Sequence, residues 1–338
     1  MKNFLSINAF LLILLQTLNA QTLESDSFNT YTVGNVGTDI TAATPGQGGF
    51  YTDFAGGSNS EAQIVNIDAS HGKSLQFTGS AGGPVTKYMW KNGLGTAWAG
   101  RTSGNDILKL SFNLYTGSST GGVGRGTVLI YDGTTHKTLL GAGYEYNTQR
   151  IVGIAYYTKI SSGVTGNYLF YLEPATTTYP PNTWITLSCT FNKTTGVVTW
   201  TTPGGGTYSP ASTHTPAAAG VDPFEMDFVS VANAGNTVAT ITSFDDYIVT
   251  AANAATLGTK EAVAQENRIS VYPNPATDFL NIQSEVPVTH VEVTNMSGRK
   301  MEVQLNHNKV DIRNLIAGIY TVNIEIKGNK FSKKIIKK

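Results

Sequence analysis

Cysteine is nearly absent from this chain: Cys189 stands alone among 338 residues. No intramolecular disulfide can staple the fold, so its stability must come from packing. Charge is also scarce, at 14% of residues. Between residues 21 and 255 the balance is 10 basic against 15 acidic side chains, and between 256 and 338 it is 12 against 8. A mildly acidic main segment offers no clustered basic face, which excludes a nucleic-acid partner. The longest apolar run, Phe4 to Leu15, falls short of the roughly 20 residues that a membrane-spanning helix requires, so no transmembrane segment is expected in the mature chain. Histidines 71, 136 and 214 are isolated, and no His-Glu-x-x-His or paired-cysteine spacing points to zinc. A Gly-x-Ser-x-Gly elbow and a phosphate-cradling loop are missing as well, excluding the commonest hydrolase and nucleotide-binding signatures.

What is plentiful is glycine, at 36 residues, together with 16 Tyr, 14 Phe and 4 Trp. That mixture belongs to many short strands joined by tight turns, and an all-β sandwich is the expected class. Thr127–Tyr131, Asp132-Gly133 and Thr134–Leu140 read as a hairpin about a two-residue turn. A second hairpin joins Trp184–Phe191 to Val197–Trp200, with Ile185, Leu187, Cys189 and Phe191 on one face. Cys189 is therefore expected in the core, with no neighbouring charge to activate its thiol. Further strands are expected at 74–77, 107–114, 151–157, 168–172, 224–231 and 237–241. No convincing helix is visible.

Both ends of the chain carry targeting signals. Lys2, the apolar stretch 4–15 and the small Ala20 form a leader over residues 1–20, with cleavage before Gln21. At the other end stand Val271-Tyr272-Pro273-Asn274-Pro275-Ala276, Asp278-Phe279-Leu280-Asn281-Ile282, Asn295-Met296-Ser297-Gly298-Arg299, Leu315-Ile316-Ala317-Gly318-Ile319-Tyr320, and a basic tail from Lys330. Residues 266–338 resemble the type A C-terminal sorting domain of the Bacteroidetes type IX secretion system. The resemblance assigns the sorting motif to Tyr272, Pro273, Asn274, Pro275, Gly298, Gly318 and Tyr320. It implies a small immunoglobulin-like sandwich, recognition by the type IX export machinery, and removal by a sortase-like surface protease within the linker, residues 251–265. The protein would then be secreted, either free outside the cell or attached to the outer-membrane surface.

For residues 21–250, Phe28-Asn29-Thr30-Tyr31-Thr32-Val33-Gly34 followed by Gly46-Gln47-Gly48-Gly49-Phe50 resembles the opening strand and turn of concanavalin A-like jelly rolls. The Trp184 hairpin resembles the laminin-G-type pair, and Phe244-Asp245-Asp246-Tyr247-Ile248-Val249 resembles the closing strand of that superfamily. The fold hosts lectins, hydrolases, lyases and spacers, so function must come from the site. Glu225 and Asp227 lie on one strand face like the first two carboxylates of a laminarinase-like Glu-x-Asp-x-(x)-Glu motif, but Val229 or Ser230 stands where the third acid belongs. The other reading is a strand with two exposed acids and Phe224, Met226 and Phe228 packed inside. The resemblance also suggests a structural calcium, for which Glu24, Asp26, Asp245 and Asp246 supply oxygens if the first and last strands are neighbours. No other cofactor is indicated. Trp90, Trp98, Tyr144 and Tyr146 are the aromatic candidates for a sugar-binding surface. These readings favour a non-catalytic glycan-binding or adhesion module over a polysaccharide hydrolase or lyase, and over a structural spacer without a small ligand.

Overall fold

The computed structural model describes residues 20–118, 120–253, 270–283, 288–295, 299–326 and 329–338. Apart from Ala20 the expected leader lies outside them, as do residues 254–265 of the expected linker and Gly298. The chain divides into two compact units, residues 1–253 and 254–338. Among the described residues no helix is long and apolar enough to cross a membrane.

The first unit consists of two antiparallel sheets. Sheet one runs, in spatial order, β14 (Thr207–Tyr208), β13 (Val198–Thr201), β12 (Trp184–Asn192), β7 (Ile107–Tyr115), β17 (Ile241–Ala252), β5 (Lys73–Thr78), β4 (Ala62–Asn66) and β2 (Gly34–Asn35), and β1 (Gln21–Asp26) pairs with β17. Sheet two runs β11 (Thr165–Tyr171), β10 (Arg150–Lys159), β9 (Thr138–Glu145), β8 (Gly124–Tyr131), β16 (Glu225–Ala232), β6 (Val85–Lys91) and β3 (Phe50–Asp53), and β15 (His214–Pro216) pairs with β10. Alternation decides which side chains enter the core. Leu108, Leu110, Phe112 and Leu114 of β7 are buried, as are Ile185, Leu187, Cys189 and Phe191 of β12. Burial pushes the Cys189 thiol far above its ordinary pKa, which makes it an inert apolar filler. The two sheets meet through aromatic rings, with Phe228 of β16 centred 5.0 Å from Phe244 of β17. Gly153 lets Trp200 wedge between the sheets, because a Cβ there would lie 2.4 Å from the indole.

Several local expectations change. Residues 28–33 form a turn rather than a strand: Phe28 sits at φ 54°, and its carbonyl accepts from Tyr31 N. Gln47 holds that turn in place, accepting from Thr32 N at 2.7 Å and donating to the Thr32 and Asn35 carbonyls. The 127–140 hairpin forms, but its connection spans 132–137, with positive φ at His136 and Asp132 accepting from the Thr135 and Lys137 amides. The strand expected at 237–241 begins only at Ile241, because the Asn236 side chain bridges Val123 N to the Ser80 and Val238 carbonyls. One α-helix, α1 (Leu94–Ala99), is present among the described residues of this unit, beside two single-turn 3-10 helices at Gln47–Gly49 and Asn59–Glu61. At the far end, Ala251 and Ala252 belong to β17, pairing with Leu108 and Ile107, and are not linker.

The second unit has two four-stranded antiparallel sheets. One orders β18 (Ser270–Tyr272), β19 (Phe279–Gln283), β23 (Lys309–Asp311) and β22 (Gln304–Asn306). The other orders β21 (Lys300–Met301), β20 (His290–Asn295), β24 (Gly318–Ile326) and β25 (Asn329–Lys337). Leu280, Ile282, Val293, Val310, Val322, Ile324 and Ile335 form its core.

Candidate functional site

The site follows from strand parity on sheet two. Met226 and Phe228 of β16 point into the core, so Glu225, Asp227, Val229 and Val231 must point to the opposite face. Cross-strand register carries that face across the sheet. Asp227 pairs with Trp90 on β6 and Leu129 on β8, Glu225 with Tyr131, and Val231 with Arg125. On β3, Tyr51 and Asp53 stand opposite Trp90 and Tyr88. Further out, Arg125 faces Glu145 on β9, which in turn faces Arg150 on β10.

These residues enclose a groove of about 640 Å³ lined by Asp53, Tyr88, Trp90, Arg125, Tyr131, His136, Glu225 and Asp227 among others. Its floor is apolar: Leu129, Ile154 and Val229 are buried beneath Tyr88, Tyr131 and Leu169. Gly141 keeps the floor low between Leu129 and Ile154, since a Cβ there would lie 2.3 Å from Leu129. At one edge the Tyr51 and Trp90 rings stack, with centroids 5.9 Å apart and planes 20° apart.

The carboxylate pair is electrostatically unusual. Burial, then the charge of Glu225 and a hydrogen bond to it, push Asp227 up to about 8. Burial raises Glu225 as well, against a lowering influence from His136. At neutral pH the two therefore share a proton, offering a donor and acceptors in one place. Asp227 Oδ1 is buried with no hydrogen-bond partner. Phe224 is 55% exposed rather than packed inside, whereas Asp227 is buried rather than solvated.

The four aromatic candidates separate. Trp90 lines the groove, but Trp98, Tyr144 and Tyr146 are core residues. The Trp98 indole donates to Asp222 at 2.5 Å and stacks under the Arg101 guanidinium. The Tyr144 and Tyr146 hydroxyls donate to the Tyr179 carbonyl and bond to Thr242 Oγ1 at 2.9 and 2.6 Å. Their rings are spent on packing, so they are not available to a ligand. Tyr51, Tyr88, Tyr131, Arg125 and His136 were not singled out in the sequence. For the strand residues the signal lies in the alternation of β3, β6 and β8, readable only once the pairing with β16 is known, while His136 comes from the connection between β8 and β9.

The calcium set does not assemble. β1 and β17 are neighbours, with Asp26 opposite Tyr247. However, Asp26 is occupied by Lys91 Nζ at 2.7 Å, by Phe28 N and by the Tyr31 hydroxyl, and Glu24 accepts from the Tyr247 hydroxyl at 2.9 Å. An ammonium thus takes the cation position beside them. Asp245 is buried where β17 bulges and accepts from the Asp246 amide, while Asp246 is exposed beyond it. Among the described residues no cluster of three or more metal-ligating side chains occurs.

In the second unit Asn274 ties the sorting motif to the last strand. Its side chain accepts from Ile336 N at 2.9 Å and donates to the Lys334 carbonyl at 3.0 Å. Tyr272 is half exposed, Gly318 opens β24, and the Tyr320 hydroxyl donates to the Ile316 carbonyl.

Comparison with known proteins assigns this second unit. No curated protein matches the chain. Among solved structures it is similar to the carbohydrate esterase vb_24B_21 from the Shiga toxin-encoding bacteriophage phi24B, at 13% identity and a TM-score of 0.39, covering 66% of this chain and 100% of that one. It is also similar to the binding domain of botulinum neurotoxin serotype C1, at 10% identity and a TM-score of 0.40, covering 90% of this chain and 74% of that one. At those TM-scores neither superposition carries an argument. Residues 270–338 match the family model of the secretion system C-terminal sorting domain, and the chain is accordingly a secreted or cell-surface protein exported by type IX secretion.

Proposed function

We propose that the first unit is a non-catalytic glycan-binding module, built as a concanavalin A-like jelly roll and carried to the cell surface by the sorting domain. The observation that supports this reading is the Tyr51–Trp90 platform beside the proton-sharing Glu225–Asp227 pair. Stacked rings suit the apolar faces of pyranoses, and a donor next to acceptors suits their hydroxyls. Catalysis is disfavoured by the same pair. A retaining glycosidase sets two carboxyls about 5–5.5 Å apart to act on opposite sides of the bond. Here the two acids stand two residues apart on one strand face and are coupled in their ionisation, which places them on the same side of a bound chain. Asp53, the other carboxylate lining the groove, stands two strands from Asp227 and one pair further along, about 12 Å between backbones by strand spacing and rise.

The test is electrophoresis of the full-length protein through gels cast with different polysaccharides, each stained afterwards for clearing. Retardation without clearing is expected, and Trp90→Ala should weaken binding on the order of tenfold. Clearing by the wild type, abolished in Glu225→Gln, would replace the binder by a hydrolase or lyase. Free migration in every gel would leave protein adhesion or a spacer role.

A further inference from the structure

Arg125 lines the groove at the end away from the acid pair. It lies four residues along β8 from Leu129, the partner of Asp227, or about 13 Å at strand rise. Its guanidinium makes no hydrogen bond or ion pair with any described residue, and its Nε is buried without a partner. Burial lowers its pKa, with Glu145 opposing that shift, and at such a starting value the group stays charged.

The one carboxylate opposite Arg125 is otherwise engaged. Glu145 Oε2 accepts from the Tyr171 hydroxyl at 2.8 Å and from Thr148 Oγ1 at 2.6 Å. Beyond it Arg150 stacks on Tyr171, with its carbon Cζ 3.9 Å from the ring centroid, and donates to the Glu173 carbonyl, while its own Nε is also buried and unpartnered. Thr127 Oγ1, one position along β8 on the same face, is a further buried polar atom without a partner. Buried polar groups in folded proteins are paired, and a desolvated guanidinium without an acceptor is costly to keep. Of these groups Arg125 is the one that lines the groove, and its unpartnered guanidinium there marks a place where a ligand supplies acceptors.

We infer that Arg125 is an anion-binding subsite of the groove, taking the carboxylate or sulfate of an acidic glycan. The guanidinium fork matches either group bidentately, which a neutral hydroxyl cannot do. Acid pair and guanidinium at opposite ends would also fix the direction in which a chain lies. The inference rests on the glycan-binding reading of the groove.

The experiment measures retardation of the full-length wild type, Arg125→Gln, Arg125→Lys and Trp90→Ala in gels of polygalacturonate, its methyl ester, a sulfated galactan and the corresponding neutral galactan. Melting curves of each variant accompany the gels. The wild type should be held at least tenfold more tightly by an acidic polymer than by its uncharged counterpart. Arg125→Gln should remove that preference without lowering the melting temperature, with Arg125→Lys recovering part of it. A preference for polygalacturonate identifies a carboxylate ligand, and one for the sulfated galactan a sulfate. If neutral polymers bind in a Trp90-dependent way and Arg125→Gln changes nothing, the subsite is wrong and the groove reading survives. If no polymer retards the wild type, both fall.

Discussion

The chain uses the same tripeptide pattern twice, as Glu24-Ser25-Asp26 on β1 and Glu225-Met226-Asp227 on β16, with opposite results. At the first, Asp26 meets Lys91 at 2.7 Å and Glu24 meets the Tyr247 hydroxyl, so both acids are held in partly buried contacts between the sheets. At the second no described lysine or arginine forms an ion pair with either acid, one Asp227 oxygen has no partner, and burial holds the pair partly protonated. Two carboxylates at i and i+2 share a face in either case. What separates an internal brace from the proposed ligand site is the cation that a distant strand does or does not bring.

Removing that cation is the harshest way to break the contrast. In Lys91→Met, Asp26 and Glu24 are left in a largely buried setting against Phe50 and Tyr247, with the Phe28 amide and the Tyr31 and Tyr247 hydroxyls, but no cation, to hold them. Breaking a buried pair from one side costs roughly 3–5 kcal/mol. Urea denaturation at pH 7 should show a loss of that order, and a loss below about 1 kcal/mol would mean that the Asp26–Lys91 contact braces nothing.

Much of this contrast was legible before the structure and some was not, for definable reasons. The alternation of β7 and β12, the core position of Cys189 and the shared face of Glu225 and Asp227 are local, period-two facts. Parity names two faces but not which one is inside. For β9 the clue was present: Glu145 lies between Tyr144 and Tyr146, and the charged residue of the three is the one that turns away from the sandwich interior. Arg125 and Tyr131 join the site only because β8 pairs with β16, roughly a hundred residues later in the chain, and no local pattern encodes that register. Lys91 was invisible as a partner of Asp26 for the same reason, so four acids at the two ends of the first unit, taken with the jelly-roll resemblance, read as a metal set.

The next effect is smaller and runs the other way. Asp227 has a folded pKa of about 8 against an ordinary 3.8, so the folded state holds an extra proton between those values. Its contribution to stability is present below pH 4 and is lost as pH rises to about 8. Asp227→Asn is uncharged throughout. It should match the wild type near pH 4 and exceed it at pH 9 by on the order of 2 kcal/mol, after allowance for relaxation and for water in the groove. Melting temperatures across that range test the slope, and parallel curves for the two proteins would remove the shared proton from the account.

The smallest expected change comes from the first pair. Glu24 lies beside Lys91 and Asp26, and burial, the largest influence on it, raises its pKa. Glu24→Gln keeps an oxygen to accept from Tyr247 and removes a carboxyl whose ionisation the core resists. Lys91 retains Asp26 at 2.7 Å, so its charge stays balanced. The two effects oppose each other, and the net shift at pH 7 should stay within about 1 kcal/mol. Because the raised pKa of Glu24 makes its contribution fade as pH rises, the glutamine variant should gain slightly on the wild type towards alkaline pH. A loss approaching that of Lys91→Met would mean that Glu24 and Asp26 balance the ammonium jointly, and that the brace on β1 is a three-membered network rather than a pair.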